Sequence, residues 1–277
     1  MAKKEILEID NFCSDFKKRT MQTIADFNGS NSWQKNSWEI KSQSSDNEQG
    51  TYNYFHEVNA SRGNVFEKAT VSEIFIKSSK ASKTFIQRGL AKDGDSVDAR
   101  VLQVEIFPCS PIIPMGHINF ERFCSSKYFL TTNQDIFPTS TPVDEIEKMR
   151  EQIAVVVKKY GKNQQEMSLG LAEQYNMDGW EKPLAGRAGF QLKMVPLEEN
   201  YRLAIEGAEA FIEAYMKMVE RLKNSPFNEE DVIKMNKMRC HWLEYLLIKD
   251  GAVRMSREKG HPFDALRWMG LPPTIHY

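Results

Sequence analysis

Apolar residues recur at helical spacing over residues 3–28. Leu7, Ile9, Phe12, Phe16, Ile24 and Phe27 predict an amphipathic helix there, and Gly29 is placed to end it. Residues 41–50 are almost wholly polar and predict a loop. The pattern then changes. Residues 51–58, 64–76, 83–90, 101–108 and 115–123 are short runs rich in β-branched and aromatic residues, separated by polar turns. That spacing predicts a largely antiparallel sheet rather than βαβ units. Helical periodicity returns at Val143, Ile146, Met149, Ile153, Val156 and Tyr160. Thr141 is read as its cap, Pro142 as its first position and Gly161 as its stop. A longer apolar stripe runs from Leu203 to Leu222, on a helix over about 198–223. Asn228 with Asp231 opens another helix toward Trp242. The run after Trp242 reads as a strand leading to a turn at Asp250-Gly251. One α+β domain over 1–277 follows, with a helix and polar loop in 1–50 and the sheet and remaining helices in 51–277.

Composition narrows the possible functions. The chain has 37 basic and 38 acidic residues, for a net charge of -1, so no whole-chain field draws it to nucleic acid or an anionic membrane. No run approaches the roughly 18 consecutive apolar residues of a membrane span, and the N-terminus lacks a secretory pattern. Cys13, Cys109, Cys124 and Cys240 are scattered and form no CxxC pair. They read as reduced thiols of a cytoplasmic protein, with no metal site expected.

Candidate chemistry is sparse. On a strand over 115–123, His117, Asn119 and Glu121 share one face, while Ile118, Phe120 and Arg122 share the other. A row of three such groups suits either a solvated sheet face or a polar pocket, and the pattern alone favours the solvated face. Asp135, before Pro138, reads as turn chemistry, with a general base as the alternative. Arg187 lies between two glycines without a phosphate-loop pattern. His241 and Glu244 stand three apart, but no HExxH motif accompanies them and no nucleophile elbow exists.

Several segments, taken in order, carry a resemblance. Val65-Phe66-Glu67-Lys68-Ala69 is followed by the proline-punctuated run of Pro108, Pro111 and Pro114, then by His117-x-Asn119. Asp135 with Pro138, the glycine-rich turn around Arg187, the long helix, the run from Arg239 to Glu244, and Leu271-Pro272-Pro273 complete the series. Together they resemble the oxygen-dependent coproporphyrinogen III oxidases over roughly residues 60–275. The resemblance implies a broad, largely antiparallel sheet flanked by helices on both faces, and usually a homodimer. It implies oxidative decarboxylation of a reduced tetrapyrrole with O2 as co-substrate and no metal or organic cofactor. Asp135 matches the position of a carboxylate that helps remove a pyrrole N–H proton. His117 matches a pocket histidine and Asn119 a polar contact. Ser72, Arg187, Arg239 and Glu244 fall in matching substrate-side segments.

The departures fall on the pocket. Glu121 stands where the family carries arginine, and Arg122 lies on the opposite face unless a bulge turns it inward. Leu184 and Ala185 replace arginines before the glycine-rich turn. Ser72 and Ile74 replace Asn and Ser. A tetra-acid needs cationic forks. The expected substrate is therefore a small electron-rich ring (pyrrole, indole or phenol) with fewer acidic groups. The alternatives are a genuine coproporphyrinogen III oxidase with relocated arginines and a non-catalytic ring-binding paralogue.

Overall fold

The computed structural model describes residues 2–43, 51–87 and 89–275. Helix α1 spans Ala2–Asn28, and Gly29 ends it at φ 63°. Three strands follow, β1 over Gln34–Gln43, β2 over Thr51–Ser61 and β3 over Phe66–Ser78. Then come the short helix α2 at Lys83–Gln87, β4 at Val97–Pro108, β5 at Met115–Cys124 and β6 at Tyr128–Phe137. Helices α3 (Val143–Lys159), α4 (Gln164–Met167) and α5 (Leu169–Gln174) precede β7 at Phe190–Pro196. Helix α6 covers Leu197–Leu222 and α7 covers Glu229–Glu244. A π-helical turn at Tyr245–Lys249 leads to α8 (Gly251–Glu258) and α9 (Phe263–Met269).

The strands form one seven-stranded sheet in chain order, every neighbouring pair antiparallel. Each strand therefore needs only a local connection to its partner. Alternation sorts side chains between two faces. Ala69, Val71, Leu102, Val104, Ile106, Ile118 and Phe120 pack under α1, α3 and α6 as the main core. The opposite face carries two smaller apolar clusters. One gathers Val58, Phe107, Met115 and Phe137 beneath Tyr175, Trp242 and Tyr245. The other gathers Tyr54, Ile76, Ala99 and Phe123 beneath the α2 region. The expected α+β sheet with helices on both faces is what the chain forms.

Several local expectations are corrected. Residues 41–43 belong to β1, an edge strand whose polar sequence concealed it; residues 44–50 of the expected loop lie outside the described residues. Residues 83–87 of the strand expected over 83–90 form α2, because Phe85 docks on Phe123 at 4.9 Å and tertiary contact overrides β-propensity. Asp135 sits in β6, not in a turn. Thr141 makes no cap; helix α3 starts after Pro142, and the Thr141 hydroxyl has no partner. The strand expected after Trp242 is the π-helical turn and α8, whose Asp250 side chain caps Val253 N–H at 2.8 Å. By contrast, Asn228 and Asp231 form the reciprocal capping box that opens α7.

Arg122 is the main correction for the site. Strands β4, β5 and β6 pair around it residue for residue with no bulge, so it stays on the α1 face. Its guanidinium donates to Asp10 Oδ1 at 2.7 Å, to Asp10 Oδ2 at 3.1 Å and to Asp98 Oδ1 at 2.7 Å. Arg100 donates beside it to the Asp10 carbonyl at 2.8 Å and to Glu73. These forks fasten α1 to the sheet. Replacing Arg122 with alanine should destabilise the fold by roughly 2–4 kcal/mol, since Asp10 and Asp98 lose their shared cation. A urea titration measures it, and ligand affinity on the other face should stay unchanged.

Candidate active site

Cross-sheet registers build the site from the sequence. On the face away from α1, Val58, Ser72, Gln103, Asn119, Asn133 and Gln191 are successive partners across β2 to β7. At about 4.8 Å per strand this row spans about 24 Å. The row on one side of it runs His56, Ile74, Val101, Glu121 and Thr131. On the other side run Ala60, Thr70, Glu105, His117 and Asp135. Ile74, Val101, Gln103, Asn119 and Glu121 are half-buried between the two apolar clusters, so the middle of this face is the floor of a cleft.

The floor holds hydrogen-bonding capacity that the protein does not use. Ser72 Oγ, Gln103 Oε1, Asn119 Oδ1, Glu105 Oε2 and His56 Nε2 are buried without a partner. Each such orphan costs about 1–3 kcal/mol. A fold keeps five of them on one face when a ligand supplies the partners.

At one end of the floor, His117 Nδ1 meets Glu105 Oε1 at 2.9 Å. The imidazole lies against Trp242 at 5.5 Å, Tyr175 at 5.9 Å and Phe137 at 6.3 Å. Burial pushes the Glu105 carboxyl above its usual range, while His117 and Lys68 pull it back. Lys68 itself donates to the carbonyls of Leu271 (2.7 Å) and Arg267 (3.1 Å). Burial lowers its amine to about 7. With the Thr70 hydroxyl on the Met269 carbonyl at 3.0 Å and Trp242 Nε1 on Gly270 at 2.8 Å, these bonds dock the C-terminal segment over the sheet.

Asp135 is the register partner of His117 but turns to a different task. Its Oδ2 accepts from Arg187 N–H at 2.8 Å. Its Oδ1 accepts from the N–H groups of Ala188 at 2.9 Å and Gly189 at 3.2 Å. Arg187 lies at φ 57°, a left-handed conformation that these bonds hold. Burial raises the Asp135 carboxyl to about 6, and the backbone donors oppose it. Gly189 passes so close to β6 that a Cβ there would lie 1.7 Å from the Gln134 carbonyl oxygen.

The model of the coproporphyrinogen III oxidase family matches residues 8–277. The chain belongs to that family. Its members are oxidases, and the polar floor lies on the sheet face where the resemblance puts the substrate segments.

Within this coproporphyrinogen oxidase scaffold, the structure brings His117, Asn119, Glu121, Ser72 and Asp135 to one face. The expected cationic contacts are engaged elsewhere. Arg122 lies beneath α1. The Arg187 guanidinium donates to Ser168 Oγ at 3.2 Å and the Gln165 carbonyl at 3.3 Å. Arg239 is buried, paired with Glu67 at 2.8 Å and donating to the Pro108 carbonyl at 3.0 Å. Glu244 accepts from Trp180 Nε1 at 3.0 Å, and His241 stacks on the same indole at 4.5 Å. Among the described residues, no group of three or more His, Cys, Asp or Glu is arranged to hold a metal.

Sequence reading missed Gln103 and Glu105, although Val101, Gln103 and Glu105 alternate just as the next strand's polar residues do. It also missed His56, Asn133 and Gln191, whose roles emerge only from register. A separate surface groove of about 410 Å³, lined by Thr51, Lys77, Asp98, Cys124 and Tyr128, lies at the opposite end of the strands. Seven residues of β4, about 23 Å, separate Asp98 from Glu105, so the groove and the dyad are distinct.

Two outcomes follow from this geometry. Gly189→Ala should lower the melting temperature sharply or abolish folding, because its obstacle is backbone that cannot move aside; circular dichroism on heating reads this. The second concerns pH. Burial lowers His56 to about 4. The unfolded chain protonates near 6.5 while the fold resists, so stability falls as pH drops from 6.5 to 4 and is fully present above 6.5. Asp135 acts oppositely, with its contribution present below 3.8 and lost as pH rises to 6. His56→Leu should therefore remove about 3 kcal/mol of acid destabilisation between pH 6.5 and 4, measured by denaturant midpoints across that range.

Proposed function

We propose that this family member is an O2-dependent oxidase, needing no metal or organic cofactor, of an electron-rich pyrrole, indole or phenol with fewer acidic groups than coproporphyrinogen. Loss of a ring N–H or O–H proton would raise the electron density of the ring. Two electrons then pass to O2, which takes two protons and leaves as hydrogen peroxide. Where the ring bears a propionate arm, CO2 departs and a vinyl group remains. On this reading the protein acts in the cytoplasm as a homodimer.

The single observation that carries the reading is the charge of the floor. Its three central rows present Glu105, Glu121, Asp135, His56 and His117 and no lysine or arginine. Arg122, Arg187 and Arg239 have their guanidinium groups engaged elsewhere. A substrate carboxylate about 4 Å from Glu121 would meet repulsion of about 4 kcal/mol at an effective dielectric of 20. Four carboxylates on one substrate make that decisive. A flat floor between two apolar clusters still suits a planar ring, and its amides suit ring N–H and O–H groups.

Oxygen-electrode assays on the purified protein test this. Carboxylate-poor pyrroles, indoles and phenols should give O2 uptake and peroxide, while coproporphyrinogen III under air should give little protoporphyrinogen. Efficient conversion of coproporphyrinogen III would overturn the reading in favour of the parent activity. Ring binding without O2 uptake from any of these substrates would overturn it in favour of a binding protein.

A further inference from the structure

We infer that His117 is the group that takes the ring proton, that Glu105 is the positioning residue that enables it, and that Asp135 holds the adjacent turn instead. The inference rests on the oxidase reading of the cleft and assigns its acid–base machinery.

The geometry of the pair sets the direction of proton flow. An ionised carboxylate only accepts hydrogen bonds. With Glu105 Oε1 at 2.9 Å from Nδ1, the ring proton of neutral His117 belongs on Nδ1, and the basic lone pair is on Nε2. Glu105 then stabilises the imidazolium that forms when Nε2 takes a proton. The pair is almost wholly buried, so this interaction is little screened by water. The second oxygen of Glu105 has no partner. A carboxylate buried only to fasten strands would have both oxygens satisfied, as Asp135 does.

Asp135 is the poorer proton acceptor for a geometric reason. Three backbone N–H groups already converge on its carboxylate. Protonation would put an O–H among those donors and break at least one of the bonds that hold Arg187 at positive φ. The charged and titratable groups around Glu105 come from every packed element. Lys68 faces it from β3, His117 from β5 and Asp135 from β6, with Tyr175 after α5, Tyr245 in the π-helical turn and Asp250 beyond it. Lys68 holds Glu105 toward its ionised form, which the dyad requires.

The test compares Glu105→Gln, Glu105→Asp and Asp135→Asn with the wild type, on a ring that the wild type oxidises. Glutamine keeps an acceptor for Nδ1 but removes the charge. Glu105→Gln should lower kcat by about 100-fold and move the acid limb of the kcat/KM profile at least one pH unit lower, because the imidazolium loses its counter-charge. Glu105→Asp keeps the charge, so its limb should stay near the wild-type position; it also serves if the glutamine variant fails to fold. Asp135→Asn should melt earlier yet keep the wild-type limb. The inference fails if Glu105→Gln retains the wild-type rate and limb, or if Asp135→Asn alone erases the limb. NMR titration of the His117 ring gives a readout independent of turnover, with a downward shift of about one unit expected in Glu105→Gln. A wild type that oxidises no ring while this NMR shift is present would sink the oxidase reading and leave only the pairing. A wild type that turns over with no shift and no change of rate would sink the dyad alone.

Discussion

Everything in this molecule depends on the two-residue alternation of an antiparallel sheet held in a single register. Adjacent residues on β5 serve opposite masters. Ile118, Phe120 and Arg122 face the helices, and His117, Asn119 and Glu121 face the cleft. A slip of one residue would send amides and carboxylates into the main core and isoleucines into the cleft. The local connections of a seven-stranded meander protect that register, because each strand closes on the one just before it. Apolar burial under α1, α3 and α6 supplies the main driving force, and it leaves the opposite face free to carry polar groups at some cost in stability.

That cost is concentrated where chemistry needs it. Five orphaned polar atoms on the cleft face, a carboxylate pushed toward its neutral form and a histidine held neutral at His56 are each unfavourable alone. The surrounding structure tolerates them because the rest is well satisfied. Asp135 closes the turn at 187–189 with three backbone bonds, and Lys68, Thr70 and Trp242 tie down the C-terminal segment. Those contacts hold rigid the walls within which the dyad works.

The helices were largely legible in the sequence because amphipathic spacing and capping are local properties. The stripe from Leu203 to Leu222 and the Asn228–Asp231 box needed no knowledge of the fold. The failures share one cause, long-range contact. Phe85 looked like a strand residue until Phe123 claimed it. Strand β6 was hidden because Thr131, Asn133 and Asp135 are polar yet buried, contrary to the alternation that marks a half-solvated strand. For the site, His117, Asn119 and Glu121 were visible as a row, but the matching row of Gln103 and Glu105 was overlooked and Arg122 was overvalued. No local signal distinguishes an arginine that clasps α1 from one that binds a substrate. The aspartates at 10 and 98 make that choice, the former 112 residues away.

The order of Glu121 and Arg122 shows how the scaffold constrains its own divergence. A family arginine at position 121 would project into the cleft, and here a glutamate does. The cation next to it is not a relocated substitute, since Asp10 and Asp98 hold it on the far side of the sheet. Drawing Arg122 across would require a bulge in β5, which would also turn His117 or Asn119 away from the floor. Positive charge cannot therefore be returned to this cleft by adjusting the strand. It would have to enter as a new side chain on the cleft face, and each cleft position on β4 to β6 is already filled by the residues that give this face its acceptors. The dyad and the uncharged floor are thus mutually consistent. A nearby arginine would compete with His117 for Glu105, and a buried carboxylate shared between the two would no longer fix the imidazole for proton transfer.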